Sequence, residues 1–244
     1  MQSIATIARR ELMGFFYSPI GYVVLFLYML FVGAMFALVD LKPGQIASLS
    51  FVFEFNPIVL MVVVPFLTMA LLAEEYRSGR IEVLRTSPLT EMELVLGKFF
   101  GAMIFYCVMV ATTLVYVGVM ALYGHPDYNT VWTSYLGLFL LGALSISVGL
   151  FFSALTQHQI VAAMATCLTL VFFSMLALFF YYASSASGSF WHWLHVALHY
   201  VSFEAQMQAF SRGIIATDHV IFFITGTFLF LFLTYSVLET KKWK

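Results

Sequence analysis

Six stretches of the chain, 21–39, 57–73, 99–123, 131–155, 160–183 and 220–238, are built from apolar residues, with no Asp, Glu, Lys, Arg or His in the middle of any of them. At about 1.5 Å of rise per residue, each is long enough as a helix to cross roughly 30 Å of hydrocarbon. None alternates polar and apolar residues as a barrel strand does, so helices are expected throughout. The run at 21–39 is full-length and lacks a small-residue cleavage site, so it reads as a span and not as a cleaved signal. The second run is the shortest and is expected to continue past Glu74 as helix outside the bilayer. Composition agrees with this reading. Of the 244 residues 62% are hydrophobic and 9% charged, whereas a soluble domain carries about 25% charge. Eleven basic and twelve acidic side chains cannot coat a globule of this size in water. A net charge of −1 excludes the basic face that nucleic acid requires. The expectation is an all-α membrane protein with six transmembrane helices. No fixed-period repeat or Gly-Ser linker divides it, so one domain covers 1–244.

The basic residues orient it. Arg9, Arg10, Arg77, Arg80, Arg85, Lys98, Lys241, Lys242 and Lys244 fall on one side of the six spans; Lys42 and Arg212 fall on the other. Nine against two places both termini and the 74–98 segment in the cytoplasm. Ile4, Ile7, Ala8, Leu12 and Phe15 recur at helical spacing with Arg9, Arg10 and Glu11 between them, so 3–16 is expected as an interfacial helix on the inner surface. The outer segment 184–219 carries Trp191, Trp193, Phe203 and Phe210, and short helices that sit at or dip into the outer leaflet are expected there.

Several chemistries lack their residues. Ion-coupled carriers place ionisable groups at depth, and none is found here. There is no H-E-x-x-H and no G-x-S-x-G, so intramembrane hydrolysis has no machinery. Gly97-Lys98 is followed by Phe99, which has no hydroxyl for magnesium, so this is not a phosphate loop. Ser145 and Ser147 near Gly149, and Gly97 with Gly101, are expected to serve close helix packing. Cys107 and Cys167 lie in apolar runs and read as small buried hydrophobes. Glu54, among Phe51, Phe53 and Phe55, reads as a capping or solvent-facing group, or one that meets a lipid headgroup. His192, His195 and His199 share one face of a helix and form a weak candidate metal site; the simpler reading is an interfacial helix with a polar face.

Charge concentrates instead in one cytoplasmic stretch. Five ionised side chains lie from Glu74 to Glu82. Gly79 permits a break, Pro88 ends the following piece, and Thr90 with Glu93 forms a capping box that opens the next helix. A plain positive-inside loop would explain the arginines but not the carboxylates mixed with them. The series Glu74-Glu75-x-Arg77-x-Gly79-x-Ile81-Glu82-x-Leu84, with Ser87-Pro88-Leu89 and Gly97-Lys98, resembles the signature after the second span of type-2 ABC exporter permeases. Within that family the sequence is most similar to the gliding-motility and nitrous-oxide-reductase-maturation subgroup. Ser211-Arg212-Gly213-Ile214-Ile215, Lys241-Lys242-Trp243 and the Arg9-Arg10-Glu11 arm extend the resemblance over essentially the whole chain.

The resemblance implies a permease subunit of a bacterial inner membrane that is not itself an enzyme and carries no cofactor. ATP and magnesium would sit on separate ABC ATPase subunits, and a second permease chain, the same or related, would complete the pair. It implies a cytoplasmic coupling helix near 80–87, with Glu74, Glu75, Arg77, Gly79, Arg80, Glu82 and Arg85 as the ATPase-coupling residues. Arg80 stands where the family commonly has Thr, which alters the charge offered to the ATPase. Membrane lipid and an extracytoplasmic protein are the other partners it allows. The same residues also suit a second reading, a non-transporting ABC-type anchor that passes ATPase motion to an outer partner protein.

Overall fold

The computed structural model describes residues 2–40, 49–79, 90–123, 127–184 and 202–242, and every regular element among the described residues is a helix. Helix α1 spans Gln2–Tyr17. After Ser18, whose side chain accepts from Ile20 N, α2 runs Pro19–Met35 and widens into a π-helical turn at Phe36–Asp40. Helices α3 (Ser50–Thr68) and α4 (Ala73–Arg77) come next. Beyond them lie α5 (Glu91–Ala111) and α6 (Leu114–Tyr123), then α7 (Tyr128–Leu155), α8 (Gln159–Ser184), α9 (Phe203–Ser211) and α10 (Thr217–Lys242).

Five helical stretches are long and apolar enough to cross a membrane: Pro19–Asp40, Phe51–Arg77, Glu91–Leu122, Tyr128–Leu155 and Thr217–Lys241. The sequence leads one to expect six. The remaining run falls on α8, whose described apolar part, Gln159–Met175, is shorter. Two boundaries also differ from expectation. The second span starts at Ser50, before Pro57, so Pro57 and Pro65 both lie inside α3. Proline more often opens a helix, but packed neighbours tolerate it at membrane depth. Asp40 fastens the earlier start, its Oδ2 accepting from Val52 N at 3.2 Å. The continuous helix expected past Glu74 is also broken, because turns at 69–72 separate α3 from α4.

Helix α7 is the centre of the bundle. In its apolar stretch 67% of residues are buried, against 22% for α2 with its π turn and 17% for α10. Glycines on α7 let other helices approach. Gly142 receives the edge of the Tyr106 ring and Gly149 receives Thr68. A Cβ on Gly137 would lie 2.8 Å from Phe210. Tyr106, fully buried, donates its hydroxyl to Leu138 O at 2.7 Å, and Ser147 Oγ donates to Leu144 O. The packing role expected for Ser147 and Gly149 is therefore what the structure shows.

The small pair Gly97 and Gly101 seats α1. A Cβ on Gly97 would lie 2.6 Å from Ile7 Cγ2, and one on Gly101 2.7 Å from Glu11 Cβ. The apolar face of α1 read from the sequence is thus used on protein, with Ile7 and Ala8 buried against α5. At the other end α9 falls within the expected outer segment. Phe203 and Phe210 are buried there, and Thr133 Oγ1 donates to Phe210 O at 3.0 Å. Trp191, Trp193 and the three histidines at 192, 195 and 199 lie outside the described residues.

Candidate functional site

The charged end of the bundle is organised around α4, five residues long. Its position follows from the break before it. Turns at 69–72 free the carbonyl of Met69 and the amides of Leu72 and Ala73, which have no partners of their own. One hydroxyl satisfies all three. Ser153 Oγ, at the end of α7, accepts from Leu72 N and Ala73 N, each at 3.0 Å, and donates to Met69 O at 3.1 Å. Since unsatisfied buried groups cost about 1–3 kcal/mol each, Ser153→Ala should lower stability by roughly 2–4 kcal/mol. Thermal unfolding in detergent would check this, and an unchanged midpoint would contradict the clamp.

Side chains from five helices then converge on α4. Glu74, exposed, accepts from Gln159 Nε2 of α8 at 3.2 Å. Glu75 is 7% exposed, and its Oε1 accepts from Lys98 Nζ of α5 at 2.9 Å and from Arg10 Nη2 of α1 at 3.2 Å. Lys241 of α10 lies over the Tyr76 ring, 4.3 Å from its centroid, and donates to Ala154 O of α7 at 2.7 Å. Ser153 completes the set. Arg77 and Ser78 face outward, and Gly79 adopts φ +70° with nothing near its Cβ position. That left-handed conformation is the break expected there, one that a side chain would strain. Arg80, Glu82 and Arg85 lie outside the described residues. The capping box that reopens the chain is present, with Glu93 N donating to Thr90 Oγ1 and Thr90 N donating to Glu93 Oε2.

Lys98 is the unexpected member. Its side chain is 1% exposed, although the sequence invites counting it only among the orienting cations. Its ammonium also donates to Glu11 Oε1 at 3.1 Å, and Arg10 closes the circuit to the same oxygen at 2.9 Å. Two cations and two carboxylates alternate in a ring of zero net charge. Burial raises the Glu11 pKa, but the charge of Lys98 and its bonds with Arg10 outweigh this, so the carboxyl sits below the usual glutamate range. Breaking such a buried pair from one side costs about 3–5 kcal/mol, because it strands the remaining charge.

Lys98, Glu11, Arg10, Ser153, Gln159 and Lys241 are members that the sequence reading did not assign to this site. A signal for Lys98 was present: it stands two turns into a helix capped at Thr90, between glycines at 97 and 101 that mark a close approach. Ser153 had no comparable signal. The described residues hold no cluster of three or more His, Cys, Asp or Glu that could bind a metal. At the opposite end, Glu54 is exposed and lines a shallow cleft with Thr130, Gln208, Ser211 and Arg212.

A multi-pass helical membrane protein with charge gathered at one end of its bundle is the class these observations define. The chain belongs to the ABC-2 transporter family, whose description, ABC-2 family transporter protein, matches residues 42–238, well over half of the sequence. No curated protein matches it. It is the membrane-embedded permease type of subunit, a family typically without catalytic activity of its own. Permeases of this family work with ABC ATPase partners, typically as dimers.

Proposed function

We propose that this chain is the permease of an ATP-driven type-2 ABC transporter of the bacterial inner membrane, exporting or extracting its substrate. In this reading α8 supplies a sixth span, both termini and the 74–98 segment are cytoplasmic, and α1 lies at the inner surface. A separate ATPase, holding ATP and magnesium, delivers force through a coupling helix near 80–87. Nine basic residues against two across the six apolar runs support the orientation. The similarity to the gliding-motility and nitrous-oxide-reductase-maturation subgroup belongs to the same reading.

The convergence on α4 carries it. This short helix leads directly into the 80–87 segment and is held by side chains of α1, α5, α7, α8 and α10. A displacement applied there is passed to every one of those elements, and packed helices answer such pushes by moving as bodies, not by deforming locally. The exposure of Arg77, the last residue of α4, supports the same reading, since its charge is open to a partner. The test is capture from native membranes with an affinity tag on this chain. An ABC ATPase should be recovered with it, and replacing 80–87 by a Gly-Ser segment should release the ATPase. Recovery unaffected by that replacement would contradict the proposal.

A further inference from the structure

The ring of Arg10, Glu11, Glu75 and Lys98 does more than neutralise a buried cation. Its four contacts all converge on the Oε1 atoms of the two carboxylates, at 2.9 to 3.2 Å. The four members come from three places in the chain: Arg10 and Glu11 from α1, Glu75 from α4, Lys98 from α5. Helix α1 can reach the ring only because Gly97 and Gly101 let its backbone lie directly on α5. The matched family region begins at residue 42, so the helix that closes the ring lies outside it.

We propose that Lys98 is a positioning residue which locks α1 and α5 to α4, so that force entering beside Gly79 moves the three as one body and α1 becomes part of the force path. The inference rests on the proposed function and deepens it. A displacement of α4 alone would draw Glu75 away from a cation that is 1% exposed and has no water to replace the lost partner. Carrying α5 and α1 along keeps every pair intact, and this is the cheaper response. Ser3 Oγ, which donates to Glu93 Oε1 at 2.7 Å, also ties α1 to α5, so α1 follows α5 along its length. The second carboxylate oxygen of Glu75 is buried without a hydrogen-bond partner among the described residues. A spare acceptor of this kind lets Lys98 or Arg10 slide between oxygens as the helices tilt, without a charge being stranded.

The test separates locking from mere stability. Replacing both members of the central pair, Lys98→Met with Glu75→Met, leaves Arg10 paired with Glu11 and strands no charge, so the chain should fold. Spin labels are placed at Met13 on α1 and Ile160 on α8, both exposed, with Cys107 and Cys167 replaced. In the wild-type permease–ATPase complex, addition of MgATP should shift the distance between the labels. In the double variant that shift, read at saturating ATPase, should be at least halved. Glu11→Gln, which keeps the shape and leaves Lys98 and Arg10 on Glu75, should also reduce the shift and serves if the double variant does not fold or does not hold the ATPase. A wild-type shift in either variant overturns the lock alone. A wild-type complex that binds no ATPase, or shows no MgATP-dependent shift, overturns the proposed function and the lock together.

Discussion

Gly142→Ala should destabilise the bundle by about 3 kcal/mol, the upper part of the usual cost of overpacking a core. The new methyl would fall on the edge of the Tyr106 ring. That ring has nowhere to go, because Tyr106 is fully buried and its hydroxyl is held by Leu138 O at 2.7 Å. Relief would require separating α5 from α7, the helix on which the rest of the bundle is built. Thermal unfolding in detergent should show a marked drop in midpoint, and pairing the change with Tyr106→Leu should restore part of it. An unchanged midpoint in Gly142→Ala would mean that α5 and α7 do not touch as described. Gly149→Ala, placed against Thr68, is subject to the same reasoning on the opposite contact.

Charge reversal at Arg77 should weaken ATPase binding by about tenfold or more, the equivalent of roughly 1.4 kcal/mol, while leaving the fold within about 0.5 kcal/mol of wild type. Arg77 is exposed, so its loss strands nothing inside the chain. Glu75, two residues earlier, is the opposite case. Its reversal to Lys would face Lys98 and Arg10 directly and should cost about 3–5 kcal/mol in stability before any partner is involved. Titration of the ATPase onto the purified permease, with thermal unfolding alongside, separates the two. Normal ATPase affinity in Arg77→Glu would remove this residue from the contact surface.

These two residues show how far the sequence could be read. Glu74, Glu75 and Arg77 lie within one short charged run, and the sequence offers no way to say that the middle carboxylate turns inward. Its direction is set by Lys98 and Arg10, which are distant along the chain and become neighbours only once α1 is seated on Gly97 and Gly101. The apolar runs were legible because a bilayer imposes length and composition locally, residue by residue. The capping box at Thr90 and the turn at Gly79 were legible for the same reason, since each is decided within four residues. The start of α3 was not. Asp40 sits across the connection from Val52, and its hydrogen bond is invisible to a reading that treats Pro57 as a helix opener. Ser153 is the plainest case. In sequence it is a small residue near the end of an apolar run, while in the structure it satisfies three backbone groups of another helix.

The central claim is that this permease moves only when a separate ATPase drives it. Proteoliposomes holding the purified chain, with and without its ABC ATPase, test it most directly. Hydrolysis by the ATPase should rise when the chain is present and fall back when 80–87 is replaced, and vesicles with the chain alone should hold an imposed ion gradient. Dissipation of that gradient by solute uptake through the chain alone, with no ATPase or nucleotide present, would contradict the account.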